Sequence, residues 1–159
     1  MIDEKQQRAQ ATYNTLIEEL ESHEWKYTKD DENLKISCKA QGEDLPMEID
    51  INVDKDRQLI LLISHLPFVI PQSKRLDAAI ATSVANNIIA DGSFDYDITS
   101  GHMFFRMTSS FLDCEIGGEL FSYMLLCSFT TIDDFNDKFF MLGKGMLSVE
   151  QFIEEYKGE

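Results

Sequence analysis

The chain has 159 residues, 43% of them hydrophobic and eleven of them phenylalanine. That is enough to bury one core without metals or disulfides, and it excludes a disordered chain. Twenty-nine acids against fourteen bases leave a formal net charge of −15, which repels phosphate backbones and anionic lipid, so neither nucleic acid nor a membrane is an expected partner.

A single domain over residues 1–159 is the expected organisation. The opening "MIDEKQQRAQ" is polar and charged, unlike a signal peptide. The most apolar stretch, "LILLISHLPFVIP", is interrupted by Ser64, His65 and Pro67 and is too short to span a bilayer. Cys38, Cys114 and Cys127 make an odd count without paired spacing, which predicts free buried thiols and a cytoplasmic protein.

In chain order, Ala9, Tyr13, Leu16, Ile17 and Leu20 recur at three and four and predict a helix over 3–23, with Asp3 and Glu4 suited to its N-terminus. "WKYT" and "LKISCKA" predict short strands around the turn "KDDEN". "LPMEIDINVD" sets Met47, Ile49, Ile51 and Val53 on one face and Glu48, Asp50 and Asn52 on the other, a sheet wetted on one side. "DKDR" turns the chain into the most apolar strand, "QLILLISHL".

"LPFVIP", bounded by Pro67 and Pro71, predicts a stiff apolar connector. A second helix follows over 73–90, with Leu76, Ile80, Val84 and Ile88 stepping by four as its inner stripe and Gly92 as its stop. A hairpin comes next. A long helix over 117–142 carries Phe121, Leu125, Phe129, Ile132, Phe139 and Leu142. Ser148 and Gln151 form a capping box for a last short helix. Antiparallel hairpins with intervening helices, in the order α-β-β-β(-β)-α-β-β-α-α, predict an α+β fold.

The hairpin "DGSFDYDITSGHMFFR" is the stretch most like chemistry. Phe94, Tyr96 and Ile98 share one face, Asp95 and Asp97 the other. A two-residue loop pairs Tyr96 with Phe105; a four-residue loop, Ile98 to Gly101, pairs Tyr96 with Met103. Both keep the apolar sets together. Read as a calcium loop, the segment fails. Ser100 stands where glycine is required and Arg106 where the closing glutamate belongs, so no metal is expected.

Elsewhere the three histidines and three cysteines are scattered without zinc spacing, "LGKGML" lacks the spacing of a phosphate loop, and no nucleophile elbow occurs. Asp133, Asp134 and Asp137 share a helix side, in keeping with a solvated face. One of Asn86 and Asn87 should sit near the apolar stripe and tie up backbone. Leu66, Pro67, Phe68, Val69 and Ile70 run without a polar residue. They form either a linker packed on the core or a contact surface.

Four stretches carry a resemblance: "GEDLPMEIDINVD" (42–54), "ISHLPFVIP" (63–71), "ANNIIADGSFDYDITSGHMFFR" (85–106) and "LSVEQFIEEY" (147–156). They resemble the YbjN family, bacterial proteins assigned to sensory transduction regulation. Asn87, Gly92, Phe94, Asp97, Gly101 and Arg106 match the asparagine, glycine, aromatic, acid, turn glycine and basic residue of its pattern. The order of elements resembles type III secretion chaperones of the Tir-chaperone type. The resemblance implies a curved antiparallel sheet flanked by helices, usually a homodimer, with no catalytic residue and no cofactor.

The expected function is a non-enzymatic protein-binding module, chaperone-like or regulatory, working as a homodimer on a client or regulatory protein. Leu66, Phe68, Val69 and Ile70 are its expected contact residues. The alternative is a small-ligand sensor or enzyme with a pocket near Asn87, Asp97 and Arg106.

Overall fold

A computed structural model describes residues 3–158. Its elements are α1 (Glu4–Ser22), β1 (Tyr27–Asp30), β2 (Lys35–Gln41), β3 (Pro46–Asp54), β4 (Leu59–Val69), a 3-10 turn (Gln72–Lys74), α2 (Arg75–Ile88), β5 (Ser93–Tyr96), β6 (His102–Ser110), α3 (Gly118–Gly143) and α4 (Val149–Glu155). The six strands form one antiparallel sheet in the order β1-β2-β3-β4-β6-β5. The architecture is α+β, as expected.

Period-two patterning decides which side of the sheet is covered. Met47, Ile49, Ile51 and Val53 are buried, while Glu48 and Asp50 are exposed. α1 packs on β3, α3 on β4 and β6, and α2 on β5. Between the layers lies an aromatic cluster. Phe94 stands edge-on to Phe105, Phe135 and Phe139, with ring centroids 5.3, 5.7 and 5.1 Å away, and Phe152 lies 5.4 Å from Phe139. Such pairs add roughly 0.5–1.5 kcal/mol each beyond their buried area. Every expected core residue of the long helix is buried, and the capping box of α4 is present with Gln151 N–H donating to Ser148 Oγ at 3.1 Å.

Two expectations about the elements are corrected. "LPFVIP" is not a connector, because β4 runs on to Val69. Proline is tolerated there because the register against β6 shifts between His65 and Val69, so the missing N–H interrupts no regular ladder. The inner stripe of α2 is also different. Its buried residues are Ala78, Ala81, Thr82 and Ala85, whereas Leu76 is 73% and Ile80 47% exposed. Steps of four advance about 40° past each full turn. The Leu76–Ile80–Val84–Ile88 ladder therefore winds from solvent at the start of α2 to a half-buried position at its end.

Of the three thiols only Cys38 is buried, and burial pushes it up to about 11; Cys127 is half-buried and Cys114 exposed. Among the described residues no helix is long and apolar enough to cross a membrane.

Candidate functional site

The hairpin adopts the four-residue loop. Tyr96 pairs with Met103 and Phe94 with Phe105, Asp97 N–H donates to the His102 carbonyl at 2.9 Å, and Gly101 N–H to the Asp97 carbonyl at 2.7 Å. Gly101 has φ +80°. The Asp97 carboxylate accepts from Thr99 N–H at 2.9 Å and Ser100 Oγ at 2.6 Å, and these bonds, the serine's first, hold its pKa below the ordinary value. Arg106 Nε lies 2.8 Å from Asp95 Oδ2 on the open face of the sheet.

Among the described residues no hydrogen bond or ion pair joins Asn87, Asp97 and Arg106. Asp97 serves its own turn, Arg106 serves Asp95, and Asn87 is exposed at the end of α2. It is Asn86 that ties up backbone. Its amide donates to the Phe94 carbonyl at 2.9 Å and accepts from Phe94 N–H at 2.8 Å. Among the described residues no group of three or more His, Cys, Asp or Glu is placed to hold a metal ion.

The expected contact residues divide by strand alternation. Leu66 and Ile70 face the core at 6% and 0% exposure, so neither is free to meet a partner. Phe68 is half-buried and edge-on to Phe140, with centroids 5.5 Å apart. Val69 is 50% exposed.

Beyond Val69, an expected contact residue, the exposed apolar residues Leu76 and Ile80 on α2 and Ile98 in the hairpin loop were not singled out from the sequence as contacts. The Arg75 guanidinium, at the first position of α2, donates to the carbonyls of Thr99 and Ser100 and pins the helix to the hairpin loop. Ile70 N–H donates to the Gly101 carbonyl at 2.9 Å and pins the end of β4 to the same loop. Val69, Ile98 and the outward pair Leu76 and Ile80 are therefore carried by three segments tied together. The available signal was the second stripe in α2, Ala78, Ala81 and Ala85, whose spacing of three and four marks the close-packed face and leaves the larger residues outside.

A second feature is a groove of about 780 Å³ over the outer surface of α3. It is lined by Tyr123, Cys127 and Thr131 from α3 and by Ile88 and Ile89 at the end of α2. Its acids are Asp133, Asp134 and Asp137 on α3, Asp91 after α2, Glu43 and Asp44 between β2 and β3, and Glu155 at the end of α4. The Asp133 carboxylate accepts from Glu43 N–H at 2.9 Å, and Tyr123 Oη donates to Asp91 Oδ2 at 3.1 Å. Lys138 is the one cation among the lining residues. Its ammonium lies 3.4 Å from Glu155 Oε1 and 5.5 Å from the centre of the Tyr156 ring.

No protein-family model and no curated protein sequence matches the chain. Solved structures do. A chain of the HopA1–SchA chaperone–effector complex matches with a TM-score of 0.57 at 16% identity, over 86% of this chain and 99% of that one. YbjN from E. coli, a candidate transcription regulator, matches with a TM-score of 0.56 at 13% identity, over 79% of this chain and 92% of that one. At such identities the likeness is one of architecture, and the chain shares the α+β fold of that one chain of the complex and of YbjN.

Proposed function

We propose that the chain is a non-enzymatic protein-binding module, chaperone-like or regulatory, that works as a homodimer through the outer face of α2. The observation that carries this reading is a set of apolar side chains, Val69, Leu76, Ile80 and Ile98, exposed at 45–73% on three segments that hydrogen bonds tie together. Apolar side chains gathered in one place favour a partner over water. The fold shared with a chaperone–effector complex is in keeping with that reading. A stable dimer buries about 1,200–2,000 Å² in total around an apolar centre.

Light scattering over a concentration series tests the dimer. The wild type is expected at twice the 18.3 kDa chain mass, and Leu76→Glu or Ile80→Glu at the chain mass with helical content intact. A wild-type monomer at high micromolar concentration overturns the dimer. Ile70→Glu is a control that unfolds the chain, because it places a charge in the core.

A further inference from the structure

We propose that the groove over α3 is the docking site for a basic, amphipathic segment of a partner protein. This rests on the reading of the chain as a protein-binding module, but not on its being a dimer.

Two independent features meet there. The first is an unpartnered apolar helix face: Leu120, Tyr123 and Leu126 lie on the outside of α3 at 40%, 49% and 57% exposure, and Tyr123 lines the groove. The second is uncompensated charge. Seven carboxylates line the groove against one ammonium, which Glu155 already holds. Among the described residues, no lysine or arginine forms an ion pair with Asp91, Asp133, Asp134 or Asp137. Like charges that line one groove repel, and its walls concentrate their field. A cationic ligand relieves that repulsion, and apolar side chains beside its cations cover Tyr123 and Leu126.

Charge also decides the occupant. A second copy of this chain would bring the same seven carboxylates against the first, a juxtaposition that costs rather than contributes. A nucleic acid is repelled for the same reason. A purely cationic ligand leaves the apolar ridge wet. A segment with lysine or arginine on one side and apolar residues on the other satisfies both features.

The test uses the full chain and a fluorescent synthetic amphipathic helix of leucine and lysine, read by anisotropy at physiological salt. The controls are the same peptide with glutamate for lysine and a lysine-only peptide of equal length. The leucine–lysine peptide is expected to bind about tenfold or more tighter than either control. Asp134→Asn combined with Asp137→Asn should weaken it by about tenfold, and Leu126→Ser by a similar factor. Asp134 and Leu126 are exposed and Asp137 is half-buried, and circular dichroism verifies that each variant stays folded. Unchanged affinity in both variants, or a lysine-only peptide that binds equally well, overturns the proposal. Leu76→Glu should leave the affinity unchanged. A dimer that Leu76→Glu dissociates, with groove variants that bind as well as wild type, overturns the groove alone. A monomeric wild type whose peptide binding the groove variants abolish overturns the dimer alone.

Discussion

Ser122 Oγ donates to Glu19 Oε1 at 2.5 Å, and this bond joins the last turn of α1 to the second turn of α3. Gly117, the N-cap of α3, makes no side-chain cap bond. Glu19 adds from another helix to the negative charge that Glu119 already places in the first turn of α3 and that a helix N-terminus favours. A Cβ at Gly118 would run into the Glu19 carboxylate, so the glycine keeps room for it. Glu19→Ala should lower stability by about 1–2 kcal/mol, and Glu19→Gln by less, since the amide still accepts from Ser122. Urea denaturation midpoints of the two variants separate charge from hydrogen bond. Equal losses would show that the bond contributes nothing beyond the charge.

Gly101 combines φ +80° with a backbone neighbour, because a Cβ there would overlap the Ile70 carbonyl. Gly101→Val should cost on the order of 1–3 kcal/mol from the left-handed conformation alone, with the clash added. A midpoint within experimental error of wild type would contradict the turn.

Asp97 predicts an acid dependence. Its folded pKa lies below the unfolded value, so its contribution is present above about pH 4 and is lost as pH falls through the folded pKa. The carboxylate is exposed, so the effect is small. Asp97→Asn should melt below wild type at pH 7, and the gap should close by about pH 2–3. A gap that widens on acidification has the wrong sign for a carboxylate held by Ser100 and Thr99.

Asn136 is 0% exposed, and among the described residues neither of its amide atoms has a hydrogen-bond partner. An unsatisfied buried amide costs about 1–3 kcal/mol. Asn136→Leu should therefore leave the melting temperature unchanged or raise it. A loss of several degrees would mean that the amide bonds an ordered water within the core.

The amino-acid pattern by itself determined every element whose two faces differ in polarity. The Phe121–Leu142 stripe, the Met47–Val53 alternation and the Ser148–Gln151 box need only the helix and strand periods and a local cap. The hairpin was legible to within two registers, and tertiary structure chose the four-residue loop, whose Gly101 carbonyl accepts from Ile70 N–H.

Three things lay beyond the local pattern. β4 continues through Pro67 because an irregularity against β6 removes the need for its N–H. The inward face of α2 is its alanine side, because close packing against α3, α4 and β5 favours small residues, while both sides of the helix are apolar in sequence. The acidic groove gathers residues 43–44, 87–91, 123–138 and 155–156. Sequence periodicity shows which side of an element is apolar. Only packing decides which of two apolar sides is buried, and which distant carboxylates come to face one another across the same surface.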